Sequence, residues 1–65
     1  MVIKFNPGAA KLLVIKVIKV GLGTSLKEAK DMVDDRKIRC TKEQFTKIKP
    51  ELEKSGAGEF NIIKS

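Results

Sequence analysis

Lys11-Leu12-Leu13-Val14-Ile15-Lys16-Val17-Ile18-Lys19-Val20 is the stretch on which the fold turns. Its valines and isoleucines favour a strand, because branched side chains suit a pleated surface. Its periodicity favours a helix. At about 100° per residue, Leu13, Val14, Val17, Ile18 and Val20 gather on one broad face, and Lys11, Leu12, Ile15, Lys16 and Lys19 gather on the opposite one. A strand would instead put Lys11 and Lys19 on one side and Lys16 on the other. Taken alone, the residues favour the helix without excluding the strand.

Downstream the signals are clearer. Ser25 stands three residues before Glu28, a capping box in which each side chain satisfies an orphan backbone N–H at a helix start. Leu26, Ala29, Met32 and Val33 then form an apolar stripe, with Lys27–Asp31 and Lys30–Asp34 spaced to pair along the helix. Thr41 and Gln44 repeat the capping pattern ahead of Phe45, Ile48 and Leu52, and Gly56 suits the C-terminal cap. Pro50 falls inside this last helix, on the side away from its apolar stripe. It removes one hydrogen bond and crowds the Thr46 carbonyl, so a kink or a break near Lys49 is expected.

Three short strands complete the pattern. Met1 to Asn6 alternates, with Ile3 and Phe5 on one side, and stops at Pro7-Gly8. Lys37 to Cys40 sets Ile38 and Cys40 against Lys37 and Arg39. Glu59 to Lys64 puts Phe60 and Ile62 on one face, after the breaker Ser55-Gly56-Ala57-Gly58. The order strand, helix, helix, strand, helix, strand predicts an α+β fold of two layers, a three-stranded sheet covered on one face by three helices.

With 65 residues there is one domain, 1–65, and little room for a deep pocket beside a core. Function is therefore expected on a surface patch. Lys and Arg outnumber Asp and Glu by 14 to 8, a net charge of +6, which predicts an acidic partner and is met alike by nucleic acid, a membrane surface or an acidic protein. Cys40 is the only cysteine and there is no histidine, so neither an internal disulfide nor a zinc site of the usual kind can form. Cys40 reads as a small buried hydrophobe on a strand. Lys16 and Lys19 interrupt the most apolar run, and the first residues lack the features of a signal peptide. A soluble cytoplasmic protein without membrane contact is expected.

On the first helix, Leu12 and Ile15 share the face that carries Lys11, Lys16 and Lys19. Two large apolar residues framed by lysines read equally as a recognition patch, in which apolar anchors supply affinity and charges steer the partner, and as a merely greasy surface or a self-association face. The segment KLLVIKVIKVGLGTSLKEAKDMV, Lys11 to Val33, resembles the C-terminal, translation-factor-binding domain of the bacterial large-subunit ribosomal stalk protein. The resemblance rests on the block Leu26-Lys27-Glu28-Ala29-Lys30-Asp31-Met32-Val33 and on Val14-Ile15-Lys16 at the matching distance upstream. The tail Leu52-Glu53-Lys54-Ser55-Gly56-Ala57 also resembles the family's ending.

The resemblance implies a β-α-α-β-α-β fold of the ClpS-like kind and makes the first helix a helix. It further implies a non-catalytic module whose two-helix face docks on translational GTPases, elongation factors Tu and G, in the context of the ribosome. The family's contact positions fall here on Leu12, Ile15, Lys16, Lys19, Leu26, Glu28 and Lys30, with Lys11 beside them. No cofactor and no metal are implied. The chain departs from the family in having Lys19 where arginine is common, Ser25 at a usual glycine, a shorter segment after the second helix, and Pro50. The family's N-terminal dimerisation domain and hinge are absent from the sequence. An excised domain, or a free-standing and even virus-encoded relative, is accordingly expected, monomeric in isolation.

Two other classes compete with this reading. A small nucleic-acid-binding or structural protein could use the same charge and fold, but Gly21 and Gly23 do not make the G-x-x-G loop of a KH domain. Trp and Tyr are absent, and Phe5, Phe45 and Phe60 all read as core, which leaves no stacking platform. An enzyme has still less support. There is no histidine, no nucleophile paired with a base, and no lysine closing the glycine-rich loop as in a phosphate-binding motif.

Overall fold

Tertiary packing makes Lys11–Leu22 a helix despite its strand-forming residues. In the computed structural model, which describes residues 1–64, this segment is α1 in the order β1 (Val2–Asn6), α1, α2 (Leu26–Asp35), β2 (Lys37–Arg39), α3 (Lys42–Lys54), β3 (Gly58–Lys64). The two outer strands pair antiparallel with β1, giving the sheet order β2-β1-β3. The strands match those read from the sequence to within a residue at each end.

Alternation along β1 divides the sheet into a wet and a dry face. Ile3 and Phe5 point inward and are buried, while Lys4 and Asn6 point to solvent. Ile38, opposite Ile3 on β2, joins the buried side. Onto this face α1 lays Val14, Ile15 and Ile18, α2 lays Ala29 and Val33, and α3 lays Ile48 and Leu52. Phe60 of β3 stacks on Phe5 with ring centroids 6.2 Å apart and meets Phe45 of α3 edge-on at 5.5 Å, so one aromatic ladder ties the sheet edge to the helical layer. Cys40, just beyond β2, and Ala57, just before β3, complete the core.

The helix ends follow their sequence signals, with one shortfall. Ser25 Oγ accepts from the Glu28 N–H at 3.2 Å, but only Thr41 and Gln44 make the full reciprocal box, at 3.1 and 2.9 Å. α3 ends as expected on glycine. Gly56 donates to the Glu53 carbonyl and Ala57 to that of Leu52, the paired bonds of a Schellman motif, with Gly56 at φ +94°. Gly23 closes α1 in the left-handed region at φ +65°.

Several expectations are corrected. α3 runs unbroken through Pro50, whose ring lies on the exposed side, so the break near Lys49 does not occur. Lys27–Asp31 and Lys30–Asp34 do not pair. Lys54 and Glu51, at 3.9 Å, form the one ion pair among the described residues, which fits the small gain available to exposed helical pairs. Ile62, expected inside with Phe60, is largely exposed. It pairs with Ile3, but β3 is an edge strand packed chiefly on β1.

Candidate functional site

α1 lies between α2 and α3, so its orientation decides which residues reach solvent. The buried arc is Val14, Ile15 and Ile18, with Val17 and Leu22 half-buried beside it. Relative to the sequence reading, the helix is turned by roughly 100°, one residue's step. The expectation that Ile15 is an exposed anchor is thereby overturned. Its side chain is only 8% exposed and belongs to the core. In exchange, Leu13 and Val20, expected inside, are 56% and 74% exposed. The cause is the composition of the helix. Apolar residues occupy nearly the whole wheel, so periodicity alone cannot select which arc the sheet and the other helices cover.

Leu12 keeps its predicted place and is 82% exposed. Lys16 and Lys19 flank it on the same outer surface, and Lys11 stands exposed at the first turn. Across the Gly23–Ser25 turn, α2 contributes Leu26, 60% exposed at its first turn, and Lys30 one turn later. Leu26 thus stands clear of the apolar stripe whose other members, Ala29, Met32 and Val33, pack inward. None of Lys11, Lys16, Lys19 or Lys30 has an acidic group within ion-pair distance among the described residues.

Glu28 parts company with that face. It lies on the other flank of α2, in a groove of about 430 Å³ shared with Asp31 and Asp35 of α2 and Lys37 and Arg39 on β2. The resemblance placed it among the contacts, yet its side chain lines a different surface from Leu26 and Lys30.

A second groove, of about 420 Å³, runs between α1 and α3. Sequence reading missed it, because it depends on the rotation of α1 and on the close approach of the two helices at Gly21 and Ile48. A Cβ on Gly21 would overlap Ile48 Cγ2. That glycine inside a helical pattern was the available signal.

The arrangement is that of a small two-layer α+β domain which presents helical faces to solvent. Residues 1–59 match the family described as ribosomal protein L7/L12 C-terminal domain. Large ribosomal subunit protein bL12 of Anoxybacillus flavithermus is 45% identical over 60 residues, 86% of this chain and 50% of that protein. Its counterpart in Geobacillus kaustophilus is likewise 45% identical over 60 residues, 86% of this chain and 49% of that protein. The bL12 of Thioalkalivibrio sulfidiphilus is 50% identical over 54 residues, 77% of this chain and 43% of that protein. No solved structure gives a significant match. The chain belongs to the ribosomal protein L7/L12 C-terminal domain family, a non-catalytic ribosomal-protein domain, and spans about half the length of the curated relatives it matches. No helix among the described residues is long and apolar enough to cross a membrane.

Proposed function

We propose that the α1–α2 face recruits translational GTPases, elongation factors Tu and G, to the ribosome, in the cytoplasm. The observation that carries this reading is the pair of exposed leucines, Leu12 on α1 and Leu26 on α2, set among Lys11, Lys16, Lys19 and Lys30, none of which has an acidic partner among the described residues. Apolar residues held out in water on rigid helices are preformed anchors. The surrounding lysines raise the encounter rate with an acidic surface and fix its orientation. Ile15 acts from beneath by holding α1 on the core, and Glu28 stands outside the contact surface.

Direct recognition of bases has no support here. Phe5 is buried, and Phe45 and Phe60 are half-buried, with their rings packed on each other and, through Phe60, on Phe5.

The test is an NMR titration of the ¹⁵N-labelled protein with elongation factor G or Tu. Shifts should concentrate on Leu12, Lys16, Lys19, Leu26 and Lys30. Lys16→Glu should weaken binding by roughly tenfold or more, about 1.4 kcal/mol, with the thermal midpoint nearly unchanged. Absence of any saturable interaction with either factor would sink the assignment.

A further inference from the structure

The groove between α1 and α3 lies on the opposite flank of α1 from α2. Its floor is apolar: Val17, Val20 and Gly21 from α1, and Ile48 from α3. Gly21 is what makes it a groove rather than two separate ridges, because the missing side chain lets α3 close onto α1 at that point. Leu13, Val17 and Val20 follow one another at i, i+4 and i+7 along one side of α1, with Leu13 and Val20 exposed and Val17 half-buried between them. Exposed residues of this size and alignment are uncommon on a domain so small unless something covers them.

Charge selects the occupant. Lys16 stands on one rim and Lys47 on the other, and neither has an acid within ion-pair distance among the described residues. Glu51 also borders the groove, but Lys54 lies 3.9 Å from its carboxylate and offsets it in part. A second copy of this chain, itself carrying +6, would bring lysine against lysine. A flat anionic membrane would meet the ridges but not the concave floor between them. A helix with apolar residues at i, i+3, i+4 and i+7 and acidic residues on both flanks matches floor and rims together.

We infer that the α1–α3 groove is a second docking site, which takes an acidic amphipathic helix of another protein. The site is independent of the factor-binding reading: it shares only Lys16 with that face and uses neither Leu12 nor Leu26.

The probe is a synthetic acidic peptide of about 14 residues, roughly 21 Å long as a helix, with leucines at i, i+3, i+4 and i+7 and glutamates between. A scrambled peptide of the same composition and vesicles rich in anionic lipid are tested in parallel against the ¹⁵N-labelled chain. Saturable shifts on Val17, Val20, Gly21, Lys47 and Ile48 are expected with the ordered peptide alone. Val20→Glu and Lys47→Glu, both at exposed positions, should each weaken it by about tenfold, while Leu26→Ser leaves it unchanged and impairs only factor binding. Equal binding of the scrambled peptide, response to vesicles without response to the peptide, shifts confined to the α1–α2 face, or no saturation by ~1 mM would each overturn the proposal.

Discussion

Gly21 of α1 and Ile48 of α3 are packed so closely that no methyl group fits between them. This contact fixes how deeply α3 settles beside α1, and two effects oppose each other there. Alanine is a better helix former than glycine by about 1 kcal/mol. Overpacking a well-filled contact costs about 1–3 kcal/mol. The Ile48 methyl that would be struck branches from Cβ on a side chain only 3% exposed, so it cannot swing aside. Gly21→Ala is therefore expected to lower the thermal midpoint, by several degrees for a domain of this size, and a rise would refute the close contact.

Ile15 and Leu12 should respond oppositely to the same truncation. Ile15→Ala removes buried methyl groups from beneath α1 and is expected to cost about 2–4 kcal/mol in chemical denaturation. Leu12→Ala removes atoms already in water and should change stability by less than about 0.5 kcal/mol. Under the proposed function its effect falls on factor affinity instead. Comparable stability losses at both positions would mean that α1 turns a different face to the core.

The contrast between those two residues marks where the sequence is informative. Strand and helix order is legible because the turn and cap residues are local: Pro7-Gly8, Ser25, Thr41 with Gln44, and Gly56 each act within a few positions of themselves. The facing of α2 and α3 is mostly legible too, since each offers one apolar stripe, and Ala29, Val33, Ile48 and Leu52 are all buried. α1 offers apolar residues on every side, so its facing is settled by contacts with α2, α3 and the sheet that no local pattern records. Hence Leu12, Lys16 and Lys19 are read correctly as surface, Ile15 is not, and Leu13 and Val20 go unseen. Glu28 differs for another reason. Its position carries over with the resemblance, whereas the flank it occupies depends on how α2 packs beside β2.

Arg36 ends α2 at φ +57°, in the left-handed region where a side chain is strained. The position is held from both sides. Its N–H donates to the Val33 carbonyl at 3.1 Å, and its own carbonyl accepts from the Phe5 N–H at 3.0 Å, leading the chain directly into β2. Left-handed backbone costs a non-glycine residue about 1–2 kcal/mol, and glycine's greater freedom in the unfolded chain returns roughly half of that. Arg36→Gly should therefore stabilise the domain by about 0.5–1 kcal/mol in urea denaturation, with the denaturant slope unchanged. A loss of stability would mean that the exposed guanidinium makes a contact larger than this strain.

Cys40 should give the domain a measurable pH dependence at the alkaline end. Its side chain is almost wholly covered, and its N–H donates to the Met1 carbonyl at 3.1 Å. Burial raises the thiol pKa by penalising the thiolate, and the nearby N-terminal ammonium pulls it down by less, so the net shift is upward. The folded state thus holds this proton more tightly than the unfolded chain. The resulting stability is complete below the unfolded thiol's pKa and is lost as pH rises through the folded one, because ionisation must then occur in the core. Denaturation midpoints measured from about pH 7 to pH 10 should decline for the wild type above about pH 8. They should decline less for Cys40→Ala, in which any slope from the lysines remains and the thiol's share is gone. Parallel curves for the two proteins would show that Cys40 ionises as freely in the fold as in the open chain.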